Sequence, residues 1–482
     1  METVRIISDV WRMAHPETMK AESLVLQNRL HCHVLFEYQT MFSVFQFSQL
    51  NKEIDGAIHF HPFNLYENWA KMVVVEGKAW ADDPDAKIDY LPMEGTEGLR
   101  EDSRKHVHLI VVGMSRMGTS LAVETAQIAH YPNFKEDDNT TRTHITFIDS
   151  NAKEEMEIFK SQYPNVFDMM RWRYLDSQDD TELYSLSADD WKNPIEDAEN
   201  DYHHFGTNFT DIQWEFVDGR IESVEVRKYL NQAIEDESAI TTIAVCLSDT
   251  QDATRTALYL PDKVLRKAHQ VLVYQKESDA IIRNVNNPDD TCTKFDRVLP
   301  FCNYNDSYST EKIRESEGGW VNAYYAGECS EADKQAWSRK DFRWVQEKWD
   351  ECSVSDKWSS IHCANMIHTK LRSIGCTVHD DMETLRSAVN SNMDALARTE
   401  HNRWVTEQLL AGWRPFDKEE WESYLAFPAD EREGHNKNKD RKSHANICSN
   451  DILQQVEPES PRKDRQVTLA LLEIVELRRN KQ

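Results

Sequence analysis

The stretch that most restricts the fold is residues 107–118, "VHLIVVGMSRMG". An apolar run without polar alternation reads as a strand buried on both faces, the pattern of a parallel sheet. The run ends at Gly113, and Gly118 follows five residues later. "TSLAVETAQIAHY" then sets Leu121, Val123, Ala126 and Ile128 at helical spacing. The same alternation recurs downstream. "THITFIDS" (143–150), "IQWEFVDG" (212–219), "AITTIAVCLSD" (239–249) and "HQVLVYQK" (269–276) read as strands. Helices are expected from "FKSQYP" onward and over "ATRTALYLPDKVLRKA" (253–268). This order predicts an α/β unit with a mostly parallel, Rossmann-type sheet and helices on both faces.

From about residue 310 the strand runs give way to helical spacing, and this part holds eight of the 14 Trp, large anchors for helix packing. One helix is expected over 358–375, stopped by Gly375. A longer stretch over 380–413 is expected to break near 390–392, and a last helix to cover 464–476. The predicted organisation is an N-terminal α/β segment and linker (1–104), the Rossmann-type unit (105–305) and a mainly helical domain (310–482). Within the first part, 31–37 and 42–50 look like short strands. Within the second, the acidic segment 170–211 lacks an apolar period and reads as an insertion.

The net charge of −28 opposes broad contact with nucleic acid, which favours basic surfaces. No run approaches the roughly 20 apolar residues of a membrane span. The nine scattered Cys, without a CxxC pair, suit reduced thiols. A soluble, cytoplasmic chain without membrane insertion is expected.

In a dinucleotide-binding fold the first strand ends at a glycine turn, and the N–H groups opening the next helix face the pyrophosphate. The residues in that place are Gly113, Met114, Ser115, Arg116 and Gly118. Gly113 permits the turn, Gly118 allows close helix packing, and Ser115 stands at the middle glycine position. Asp149 ends the second strand, where an acid holds a ribose hydroxyl. Asp249 follows the fourth strand; it either faces a ligand or caps the next helix. Ligand binding here requires the donors between Met114 and Thr119 to face an open crevice. The alternative is a turn kept for packing alone. No acid–base pair is legible, so no catalytic residue is expected. His31 and His33 in "HCH" lack a complementary set for a metal, and none is expected there or in "HFHPF" (59–63).

"HLIVVGMSRMGTSLAVETAQIAHYPNF … ITFIDSNA" resembles the TrkA-N (RCK-type) domains of bacterial regulators, over roughly 105–300. The resemblance implies binding of NAD(H) or an adenine nucleotide through Gly113, Ser115, Gly118 and Asp149. It also implies a regulatory role, often in potassium transport, and a homodimer.

A second candidate lies in "LARTEHNRWVTEQLLAGWRP" (396–415). On a helix, Glu400 and Arg403 are placed to pair, and His401 and Trp404 share a face. An indole with an Arg can sandwich a base or meet a phosphate; equally, Trp404 and Trp413 can be core anchors and His401 a satisfied buried group. The stretch resembles the RyR repeat of ryanodine receptors and its bacterial relatives, over about 340–482. That resemblance implies small-molecule recognition near Glu400, His401, Arg403, Trp404 and Trp413, without catalysis. Taken together, the expectation is a non-enzymatic ligand sensor that also meets a protein partner such as a transporter, channel or signalling component. The alternatives are an interaction scaffold and an NAD-dependent enzyme.

Overall fold

The structure, a computed structural model, describes residues 30–36, 58–79, 88–177, 191–196, 203–206, 208–276, 293–302, 354–457 and 461–481, with a few isolated positions between them. The strand expected over 42–50 lies outside the described residues. Strands β1 (Leu30–Phe36) and β2 (Ile58–Asn64) pair in parallel. Helix α1 (Leu65–Lys71) follows, capped by Asn64, whose side chain accepts the Glu67 N–H at 3.0 Å.

The main sheet contains β3 (His106–Val112), β4 (Thr143–Asp149), β5 (Arg171–Asp176), β6 (Ile212–Asp218), β7 (Ala239–Val245), β8 (Gln270–Tyr274) and β9 (Val298–Phe301). Its order is β9-β8-β7-β3-β4-β6-β5, and every neighbouring pair is parallel. Without β5, this is the doubly wound order, with the switch point between β3 and β7.

Two short strands were not read from the sequence. β5 opens the supposed insertion at 170–211. Its "RWRYLD" alternates Arg171 and Arg173 with Trp172 and Tyr174, so it lacks the continuous apolar run of the central strands. At the sheet edge such a polar face is tolerated. β9 is four residues long, too short to carry a period.

One sheet face presents Leu109, Val111, Phe147, Trp214 and Phe216 to α2 (Arg116–Ile128), α3 (Ala152–Gln162) and α4 (Pro164–Met169). The other presents Ile110, Val112, Ile148, Val217 and Ile243 to α5 (Val224–Glu235), α6 (Thr250–Leu258) and α7 (Asp262–Lys267). The single helix expected over 253–268 is therefore two. Pro261 occupies the N-cap of α7; lacking an N–H and disfavouring helical geometry in the residue before it, proline ends the first helix.

The C-terminal part contains α8 (Val354–Asn365), α9 (Ile367–Ser373), α10 (Met382–Ser391), α11 (Met393–Leu410), α12 (Lys418–Leu425), α13 (Asn450–Val456) and α14 (Pro461–Lys481). The helix expected over 358–375 is also two. Met366 donates to Cys363 O, three residues back, at 3.2 Å, and this tight turn interrupts the α ladder. Gly375 ends the second piece with a left-handed φ of 75°. The break near 390–392 falls at Asn392, whose Nδ2 donates to Ala388 O at 2.8 Å. The last helix is longer than expected at both ends.

The α/β and helical parts share one core. Val405, Leu409, Trp421, Tyr424, Ile447 and Leu453 pack into the same cluster as α2–α4. Phe205 lies 4.7 Å from Trp421, and Ser449 N–H donates to Phe205 O at 2.9 Å. No helix among the described residues is long and apolar enough to cross a membrane.

Candidate functional site

At the end of β3, Gly113 turns the chain with φ +99°, in the left-handed region that glycine adopts without a Cβ clash. A Cβ there would lie 3.0 Å from the Leu247 side chain and 3.1 Å from Cys246 O. At Gly118 it would lie 2.2 Å from Gly113 O, so both glycines are required by packing.

Ser115 is the N-cap of α2 and accepts the Gly118 N–H at 3.2 Å. Its hydroxyl donates to Cys246 O, at the end of β7. The Met114 N–H donates to Asp149 Oδ2 at 2.9 Å, and Asp149 Oδ1 accepts the Asn151 N–H at 3.0 Å. The Thr119 N–H donates to Ser115 O at 2.9 Å. Three of the N–H groups counted on for an anion therefore point into protein, and the Ser115 side chain is turned inward. The half-buried Leu247 side chain lies beside Gly113, next to the switch point.

Met114 and Met117 are buried, while Arg116 is exposed. Asp249 is exposed and caps α6, accepting the Gln251 and Asp252 N–H groups at 2.9 Å each, which is the capping alternative for this residue. Along the same edge Asp149, Asp218 and Asp176 stand side by side in register. That row of acids disfavours a polyphosphate. Cys246 is buried, and burial pushes its thiol up, away from the reactive thiolate.

The second group sits on α11. Glu400 and Arg403 pair as their spacing predicts, with Nε to Oε1 at 2.8 Å. Both are interior, and Lys370 of α9 also holds Glu400. Arg403 reaches Glu407 at 2.7 Å, and Glu407 accepts from Ser359 at 2.8 Å and pairs with His362 at 3.2 Å. Burial alone raises the Glu400 carboxyl, but Arg403 and Lys370 outweigh it and hold it down at about 2. Burial likewise raises Glu407, and Arg403 with His362 brings it below its usual range. His401 is buried with Nε2 on Cys448 O at 2.9 Å, and burial lowers its basicity. Glu400, His401 and Arg403 are thus engaged internally. Trp404 and Trp413 are half-buried around His444, at 5.1 and 6.3 Å, and Asn165 of α4 donates to Trp413 O at 2.7 Å. The local spacing gives the Glu400–Arg403 pair; Lys370, His362 and Ser359 come from other helices and carry no sequence signal. Glu407 lies one further turn along the same stripe, four residues after Arg403, and that spacing was legible.

Two clefts of about 410 Å³ each lie elsewhere. One lies between the loop after α2 and α11, lined by Tyr131, Phe134, Glu136, Arg398, Asn402 and Asp451. There burial, then Asp451, pushes Glu136 up to about 7. The other lies between α5 and α6, lined by Ile221, Arg227, Arg255, Tyr259, Leu260 and Pro261.

Fold and site together define a Rossmann-like α/β protein followed by a helical region. No protein family, curated protein or solved structure matches the chain.

Proposed function

We propose that the chain is a non-enzymatic regulatory scaffold, in which the Rossmann-type sheet positions the helical region and a protein partner docks on the opposite face. The observation that carries this reading is the internal bonding of the β3–α2 turn. Ser115 spends its hydroxyl on Cys246 O and the Gly118 N–H, while Asp149 takes the Met114 N–H. A partner surface is supported by the face covered by α5–α7. There Tyr259 is 72% and Val224 60% exposed, beside the cleft with Arg227 and Arg255. Exposed apolar groups rimmed by charge are the ordinary make-up of a docking patch. Affinity capture with the tagged chain tests this. A protein should be retained through washes with NADH and ATP, and lost from Tyr259→Asp and Val224→Asp variants. Release by either nucleotide would overturn it.

A second reading, a small-molecule sensor, is favoured by the cleft between the loop after α2 and α11. Its volume suits a small ligand, and it lies where the α/β and helical parts meet. Ligand-dependent protection of Tyr131 and Asn402 in hydrogen exchange would support it over the scaffold.

A further inference from the structure

Helices α1, α2, α8 and α11 bring a cluster of buried polar side chains together beside the shared core. Glu67 of α1 is 2% exposed, Glu124 of α2 3% and His362 of α8 8%. One oxygen of each carboxylate and one His362 nitrogen lie within 4.8 Å of one another. Glu124 Oε2 is buried with no hydrogen-bond partner among the described residues, a costly state for a carboxylate oxygen. His362 Nδ1 is engaged by Glu407 Oε1 at 3.2 Å. A carboxylate on one ring nitrogen fixes the tautomer in which the other offers a lone pair, the arrangement that orients metal-binding imidazoles.

We propose that Glu67, Glu124 and His362 bind one divalent first-row transition-metal ion, with Glu407 as the residue that positions His362. Two carboxylate oxygens and one imidazole suit Mn²⁺, Fe²⁺, Co²⁺ or Zn²⁺ better than thiophilic ions or those that prefer all-oxygen sites.

The surrounding charge agrees. Four carboxylates (Glu67, Glu124, Glu400 and Glu407) face three permanent cations, Lys71, Arg403 and Lys370. Lys71 pairs with Glu67 and also lies over the Trp358 ring, 4.6 Å from its centroid. That indole gives the ammonium a second seat when Glu67 turns to a metal. A comparable buried trio, His108, His144 and Glu215, is a weaker candidate. There Glu215 already accepts from Arg173, Tyr229 and Thr146. The α1–α2–α8 site goes beyond the scaffold reading, because such an ion would tie the N-terminal segment, the sheet unit and the helical region together.

The test is made on the full chain, stripped of metal by chelator dialysis and titrated with Co²⁺. Bound metal is counted by plasma mass spectrometry, and visible d–d absorption is recorded. The expected result is one Co²⁺ per chain, displaced by Zn²⁺, with no thiolate charge-transfer band. His362→Ala and Glu124→Gln, checked for folding by circular dichroism, should lose retention. Glu407→Gln keeps all three ligands and should weaken Co²⁺ binding by about 10–100-fold. Failure of the wild-type chain to retain Co²⁺ overturns the proposal without recourse to variants. So does a thiolate band, or retention undiminished in folded His362→Ala.

Discussion

Arg403→Met removes the guanidinium at the centre of the α11 network while keeping most of the side-chain volume. Arg403 is 1% exposed and bonds Glu400 at 2.8 Å and Glu407 at 2.7 Å. Breaking a buried ion pair on one side costs about 3–5 kcal/mol, because the remaining charge is left uncompensated. Lys370 still faces Glu400, and Ser359 with His362 still faces Glu407. The lower end, about 3 kcal/mol, is therefore expected. Urea unfolding at pH 7.5, followed by far-ultraviolet circular dichroism, measures it. Arg403 holds both carboxyls below their usual range in the folded chain. The stability this supplies is present above the ordinary Glu pKa and is lost as pH falls toward about 2, the value for Glu400. The gap between wild type and variant should accordingly narrow as pH falls below that of an ordinary glutamate. A variant within about 0.5 kcal/mol of wild type at pH 7.5, well short of the cost of breaking a buried pair, would refute the reasoning.

Ser115→Ala removes the α2 cap and the bond to Cys246 O and should cost about 1 kcal/mol in the same unfolding assay. Gly118→Ala places a Cβ 2.2 Å from Gly113 O and 2.9 Å from Val111, and should cost about 3 kcal/mol or prevent soluble expression. Glu136 is raised to about 7, first by burial and then by Asp451, so its ionisation costs folded stability. That cost is absent below the ordinary Glu pKa and complete above about 7. Glu136→Gln should therefore raise the melting temperature at pH 8 and leave it unchanged at pH 4; equal shifts at both would count against this environment.

The central sheet was legible because strands buried on both faces leave apolar runs, as in residues 109–112 of β3 and 271–274 of β8. β5 was not, since its arginines alternate along a sheet edge, and β9 offers four residues. The two helix breaks that were missed, at Met366 and before α7, lie inside otherwise regular helical spacing. The turn glycines were visible for the same reason that they matter, as Cβ-free positions. The direction of the Ser115 hydroxyl was not. Its acceptor is a carbonyl 131 residues away, supplied by β7 lying beside β3. The Glu400–Arg403 pair follows from local helical spacing, whereas its burial depends on Lys370 and on α11 packing against the α2–α4 face.

The β3–α2 turn is bonded internally, with the Met114, Gly118 and Thr119 N–H groups and the Ser115 hydroxyl all engaged within the protein. Isothermal titration of the purified full chain with NADH and with ATP, each to millimolar concentration, tests it most directly. The account predicts no saturable heat from either. Saturable binding that disappears in Asp149→Ala would contradict it.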